Sequence, residues 1–130
     1  MKISTKGRYA VIIMMELARK YENDTYMSLN DIALSSDISL KYLEKIMINL
    51  KKENYFIVSK GSNGGYKLAY SPDKYKIGDI IRASEEETQV VPCINSTCPK
   101  TGKCNTFPLW KDLNDVINDY LDSKTLKDYL

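Results

Sequence analysis

Apolar residues recur at helical spacing in three stretches of the chain. Between Thr5 and Tyr21 they are Ala10, Ile13, Met14, Leu17, Ala18 and Tyr21, the stripe of an amphipathic first helix. Between Ser39 and Lys52 they are Leu40, Leu43, Ile46, Met47 and Leu50, and the opposite face carries Lys41, Tyr42, Glu44, Lys45, Asn49 and Lys52. Between Leu109 and Leu121 they are Leu109, Trp110, Leu113, Val116, Ile117, Tyr120 and Leu121. Local signals fill the gaps. Ser28-Leu29-Asn30-Asp31 reads as a capping box opening a short helix through Ile32 and Ala33, which Ser35-Ser36-Asp37 breaks. Ser39 is a good N-cap, with Ile38 and Leu43 placed as a hydrophobic staple. Tyr55–Ser59 and Tyr66–Ala69 have strand composition and flank Gly61-Ser62-Asn63-Gly64-Gly65, a strong hairpin signal. Ile77, Ile80, Ile81 and Ala83 predict one more short helix with a charged exit at Glu85–Glu87, and Ser123 is placed to cap a last turn through Leu126, Tyr129 and Leu130.

The predicted order is helix, short helix, turn, helix, β-hairpin, helix, loop, long helix. That is a mainly α fold with a small β-hairpin wing: a winged helix-turn-helix followed by a long carboxy-terminal helix. The corresponding division is residues 1–84 for the helix-turn-helix and wing, 85–108 for a cysteine-containing loop, and 109–130 for the last helix and tail.

Composition narrows the chemistry. The 130 residues are 43% hydrophobic and 28% charged, enough for a core and too apolar for a disordered chain. No stretch is apolar over the roughly 18 residues of a membrane span, and the basic start runs into a mixed segment without a signal-peptide pattern. The cytoplasm is the expected location, with no membrane partner. Histidine is absent, which removes the Ser-His-Asp, Cys-His and His-ligated zinc classes together. No cofactor fingerprint replaces them, so neither an enzyme nor a small-molecule substrate is expected. The net charge is +2. Residues 1–70 hold 11 Lys/Arg against 7 Asp/Glu, and residues 71–130 hold 8 against 10. The first half has the better claim to a polyanion.

Two helices joined by a short turn and followed by a hairpin are the parts of a DNA reader. The second helix of the pair enters the major groove, and a small-residue hairpin tip lies against the backbone or the minor groove. On this reading Ser39, Lys41, Tyr42, Glu44 and Lys45 occupy the groove-facing half of the recognition helix. Glu44 can accept from a cytosine amino group, a contact that carries specificity because charge attraction does not explain it. Lys60, Ser62, Asn63 and Gly64 form the wing tip, and Lys2, Ser4, Lys6 and Arg8 anchor the first helix to phosphates. That first helix has no acid before Glu16, the reverse of what the helix dipole favours. A basic start suits an external anion or is simply a solvated end.

Cys93, Cys98 and Cys104 fall in one loop with spacing C-x4-C-x5-C, unlike the C-x2-C of zinc ribbons and thioredoxin-like pairs. An iron–sulfur cluster held by three thiolates and a fourth group, a redox thiol, and a thiolate-rich zinc site all stay open on spacing alone. Lys100 and Lys103 lie inside the loop and would offset thiolate charge. The last helix, with Leu109, Trp110, Leu113, Val116, Ile117, Tyr120 and Leu121, is too apolar to stand exposed. It is expected to pack on its counterpart in a homodimer, or else inside one chain.

Several of these segments resemble one family. Met1-Lys2-Ile3-Ser4-Thr5-Lys6-Gly7-Arg8-Tyr9-Ala10, Ile38-Ser39-Leu40-Lys41-Tyr42-Leu43-Glu44, Gly64-Gly65-Tyr66-Lys67-Leu68 and Gly78-Asp79-Ile80-Ile81 are similar to the Rrf2 family of bacterial transcription regulators. The cysteine triad with Leu109-Trp110 after it is most similar to the family's iron–sulfur-sensing branch. The resemblance implies a homodimer on a double-stranded DNA operator, with the long helix crossing to the partner, and a cluster that alters DNA affinity, commonly repressing iron–sulfur assembly genes. It implies cluster ligation by Cys93, Cys98 and Cys104, with a 2Fe–2S core expected ahead of a 4Fe–4S one. Glu44 matches a glutamate whose base contact depends on cluster state, and Ser39, Lys41, Tyr42, Lys60 and Ser62–Gly64 match DNA-contacting positions. Three departures stand out. Phe107 occupies the place of a typical histidine ligand, and the first cysteine gap is one residue shorter than usual. Arg8 stands where the nitric-oxide-sensing branch has an aspartate ligand. The donors left for a fourth position are Asn105, Thr106, Asp112, a Glu85–Glu87 carboxylate or a small external thiol. A further branch, regulating cysteine metabolism, carries no cluster and binds a metabolic enzyme; the triad argues against it.

Overall fold

Serine hydroxyls open all three helices of the amino-terminal half. A computed structural model, describing residues 2–94, 98–100 and 102–130, shows Ser4, Ser28 and Ser39 accepting from the backbone N–H of Gly7, Asp31 and Tyr42 at 3.1, 3.1 and 3.3 Å. They cap α1 (Thr5–Arg19), α2 (Leu29–Ser36) and α3 (Leu40–Lys51). Such caps contribute roughly 0.5–2 kcal/mol each. The Ser28–Asp31 capping box is complete, Asp31 accepting in return from the Ser28 N–H. Met1 of the amino-terminal motif and residues 95–97 and 101 of the cysteine loop lie outside the described residues.

α2 runs further than its sequence suggests. Ser35 and Ser36 do not break it; their hydroxyls donate back to the Ile32 carbonyl, and the helix stops at Asp37, whose φ of 57° is left-handed. Three residues later α3 begins. Leu43, Ile46, Met47 and Leu50 are buried as the spacing predicts, but Leu40 is 39% exposed. It sits one turn beyond the edge of the core, where nothing remains to cover the stripe.

The hairpin pairs β1 (Phe56–Ser59) with β2 (Gly65–Leu68), Phe56 facing Leu68 and Ser59 facing Gly65. The tip-side end of β2 is fastened to the α1–α2 connection, where Met27 and Tyr66 exchange backbone hydrogen bonds of 2.8 and 2.7 Å. Gly65 permits this. Its φ is 152°, and a Cβ there would collide with the Met27 carbonyl. A short 3-10 turn (Pro72–Lys74) leads through Tyr75 to α4 (Ile77–Ser84). Tyr75 is 3% exposed; its hydroxyl donates to the Tyr55 carbonyl at 2.7 Å and accepts from the Tyr70 N–H at 3.1 Å, so the buried polar group is satisfied.

One core joins these elements: Ala10, Ile13, Met14 and Leu17 of α1, Ile32, Leu43, Ile46, Met47 and Leu50 of the helix-turn-helix, Leu68 of the hairpin, and Ile77, Ile80 and Ile81 of α4. The staple pair Ile38 and Leu43 both enter it. Beyond the cysteine loop come α5 (Phe107–Asp122) and a closing 3-10 turn (Leu126–Tyr129). That turn is capped by a Thr125–Asp128 capping box rather than by Ser123, whose hydroxyl donates to the Tyr120 carbonyl instead. Leu126 is fully buried in the same core, and its N–H donates to the Tyr75 carbonyl at 3.1 Å. Among the described residues no helix is long and apolar enough to cross a membrane.

Candidate nucleic-acid interface and cysteine loop

α3 follows α2 after a tight turn, and the core residues fix its rotation. With Leu43, Met47 and Leu50 inward, Lys41, Glu44 and Lys45 are exposed. At the wing tip Lys60, Ser62 and Asn63 are exposed and Gly64 is half-buried. At the start of α1, Lys2, Lys6 and Arg8 are exposed. Lys2, Lys6, Lys41, Glu44, Lys45 and Lys60 enter no ion pair among the described residues. Arg8 lies over the Tyr9 ring, 5.8 Å from its centre. An open cleft of about 490 Å³ separates the starts of α1 and α3; Thr5, Tyr9, Asp37, Ser39 and Tyr42 line it.

Three predicted contact residues are partly committed inside the chain. The Ser39 Oγ is the α3 cap. Tyr42 is half-buried, its ring edge-on to Tyr9 at 5.5 Å, because it faces α1 rather than open solvent. Ser4 is held most firmly: besides capping Gly7, its N–H and Oγ–H both donate to Glu85 Oε1 at 2.8 Å. The sequence offers Glu85 as part of a charged exit from α4 and as one of several carboxylates for a fourth ligand, not as a partner of Ser4. The missing acid in the first turn of α1 was the available signal that a carboxylate from elsewhere caps that end.

Cys93 lies in a 3-10 turn (Pro92–Ile94), Cys98 follows the undescribed segment, and Cys104 stands just before α5. All three are free and half-buried. At Cys104 the Thr106 hydroxyl, 3.2 Å from its Sγ, and the Thr106 and Phe107 N–H groups hold the thiol's pKa below its usual range, with Lys100 adding a smaller pull. This donor chemistry suits a thiophilic metal or cluster. Among the described residues, however, no three Cys, Asp or Glu side chains converge on a metal-sized site. Of the fourth-ligand candidates, Glu85 is committed to Ser4 and Thr106 to Cys104.

α5 is turned opposite to the usual sense. Its polar row faces its own chain: Asn114 accepts from the Val90 N–H at 3.0 Å, Asn118 accepts from Arg82 at 2.9 Å, and Asp122 pairs with Arg82. Its apolar row faces solvent, with Leu109 56%, Leu113 41%, Val116 64% and Tyr120 56% exposed. Trp110 and Ile117 are half-buried. Leu121, assigned by spacing to a dimer face, packs against the core of its own chain. Beside it an apolar cavity of about 190 Å³ opens among Val11, Met15, Ile77, Tyr120, Leu121 and Tyr129.

Comparison with known proteins gives consistent matches along the chain. The family profile described as "Rrf2: Iron-dependent Transcriptional regulator" matches residues 3–130. The HTH-type transcriptional regulator IscR of Aliivibrio salmonicida is 35% identical over 127 residues, covering 97% of this chain and 75% of its own. The structure of CymR, the global cysteine regulator of B. subtilis, superposes with a TM-score of 0.79 at 36% identity, over 99% of this chain and 95% of that one. T. potens IscR superposes with a TM-score of 0.76 at 32% identity, over 99% and 85%.

Proposed function

The chain belongs to the Rrf2 family of transcriptional regulators, and on that premise we propose that it is a homodimeric DNA-binding repressor of iron–sulfur assembly genes, sensing through a cluster held by Cys93, Cys98 and Cys104. The observation that carries the DNA reading is a set of uncommitted charges on the elements of the helix-turn-helix and wing: Lys41, Glu44 and Lys45 on α3, Lys60 on the wing and Lys2 and Lys6 at α1, all exposed and free of ion pairs among the described residues. The lysines meet phosphates and guanine edges, Glu44 discriminates among bases, and the Ser62–Gly64 tip lies along the backbone. The outward apolar row of α5 supports a second copy as its cover, and a two-fold dimer reads paired half-sites roughly 34–36 Å apart or a multiple of that.

The three thiols supply the donor set for a cluster, 2Fe–2S in preference to 4Fe–4S, once the loop draws them together. When bound, such a group supplies iron- and redox-responsive chemistry beside the DNA module. Lys100 and Lys103 balance its charge, and α5, fastened to the loop through Asn114 and Val90, carries the loop's state toward the dimer face.

A second reading rests on the separation of the thiols and the lowered pKa of Cys104: a cluster-free regulator of sulfur metabolism that responds to thiol oxidation. Anaerobic purification with iron and sulfide quantification and a visible spectrum decides between them. The cluster reading expects a coloured protein that Cys98→Ala bleaches. Colourless wild-type protein with full operator affinity moves the assignment to the thiol switch. For DNA, Lys41→Ala should weaken binding to all sequences and lower the salt slope by about one. Glu44→Ala should change base preference by about 1–3 kcal/mol. Uniform loss in both would remove the specificity role of Glu44.

A further inference from the structure

The start of α1 holds a small cleft of about 250 Å³ lined by Lys2, Ser4, Lys6, Ser84 and Glu85–Glu87. Its chemistry is that of an anion seat. The helix behind it has 15 residues, no acid in its first turn, and Lys6 and Arg8 at its amino-terminal end, where the Gly7 N–H is already taken by the Ser4 hydroxyl. Ser84, 4% exposed, is one of the residues lining the same cleft, and its Oγ has no hydrogen-bond partner among the described residues. A buried hydroxyl left unpaired is uncommon and marks a place where a partner is expected. The anion now at the cleft is the chain's own. Glu85 Oε1 takes the N–H and hydroxyl of Ser4 at 2.8 Å each, and Gly7 is what admits it, since a Cβ there would collide with that oxygen. Glu86 and Glu87 are exposed beside it, adding negative charge against Lys2 and Lys6. Glu85 is also the first residue after α4, and leads directly toward the cysteines.

We infer that this cleft is a seat for a DNA backbone phosphate and that the Glu85 carboxylate occupies it as an internal stand-in, which the duplex, or withdrawal of the segment leading to Cys93, must displace. The inference rests on the DNA-binding reading above. Helix starts with clustered cations and N–H donors bind phosphate and carboxylate alike, so one anion excludes the other. Movement at the cysteines then has a short route to DNA affinity: pull Glu85 away and Ser4, Lys2 and Lys6 are released for the backbone.

The test uses the full chain and a duplex selected by the wild-type protein from a random-sequence pool, with binding followed by fluorescence anisotropy across ionic strength. Glu85→Ala and Glu85→Gln should bind about 2- to 5-fold tighter at low salt, the span of one anion at a helix start. The salt slope should steepen by about one, as for one added phosphate contact. Adding Ser4→Ala to Glu85→Ala should cancel the gain. The free Glu85→Ala protein should also melt lower than wild type, having lost a cap, which separates competition with DNA from loss of fold. Glu85 variants that retain the wild-type circular dichroism yet bind duplex equally or more weakly overturn the inference while leaving the DNA reading intact. Inorganic phosphate that raises the Tm of Glu85→Ala without any change in its duplex affinity assigns the cleft to free phosphate and likewise overturns it. Absence of duplex binding by every variant, wild type included, overturns both.

Discussion

α3 turns Leu43, Ile46, Met47 and Leu50 into the core and leaves its lysines in water, whereas α5 turns Asn114, Asn118 and Asp122 toward its own chain and leaves Leu109, Leu113, Val116 and Tyr120 in water. Their apolar spacing is similar. What differs is how much unburied apolar surface each met. α3 closes a core that α1, α4 and the hairpin leave open on one side. α5 lies outside that core, touching it through Leu121 while Arg82 and the Val90 N–H claim its polar row, and it is Leu126 beyond its end that enters the core. Apolar periodicity therefore announces a face to be covered but not which molecule covers it.

The contrast can be broken at several points. Truncation in the covered stripe should do the most: Leu43→Ala removes a side chain with no exposed surface and should cost about 2–5 kcal/mol in urea unfolding. Tyr75→Phe should cost about 1–3 kcal/mol, chiefly because the Tyr70 N–H loses its acceptor, while the Tyr55 carbonyl loses one of two donors and keeps the Ala69 N–H. Its hydroxyl is already held above the ordinary tyrosine range, by burial first, so this cost should not vary with pH across neutrality. Leu113→Asp with Val116→Asp should change the unfolding of the isolated chain by no more than about 0.5 kcal/mol, yet abolish a concentration-dependent Tm and give a monomer in light scattering. A wild type that is itself monomeric and melts independently of concentration would return α5 to an unexplained exposed helix. The smallest effect is chemical. At neutral pH Cys104 should be alkylated ahead of Cys93 and Cys98, since its lowered pKa leaves more thiolate at a given pH. Mass spectrometry of time-quenched samples reads the order.

Much of the fold was legible because it is written locally. Ser28 with Asp31, Ser39 as a cap, and the glycine-rich tip between two β-prone runs each need only a few neighbouring residues. The errors fall where a distant partner decides. Leu40 keeps the helical spacing but lies past the end of what covers it. Ser123 resembles a cap until Thr125 and Asp128 make a better one. The candidate interface shows the same division. The charges of α3 and the wing were readable from spacing, but the hold of Glu85 on Ser4 joins positions far apart in the chain and leaves only an indirect trace, a helix without its own acid. The cysteines were readable as a set, not as an arrangement, because spacing along a loop does not fix where its thiols lie in space.

The hydrogen at Gly65 sets a distance. By letting Met27 close onto Tyr66, it fixes the turn-side end of β2 to the connection that also launches α2, so the wing is tied to the helix-turn-helix beyond its root. The two are the legs of a caliper whose hinge is welded, free only at the tip around Asn63. On the DNA reading proposed above, such a protein would measure a span of duplex as much as it reads letters. Any side chain at position 65 would spoil the gauge before it touched a single contact with DNA.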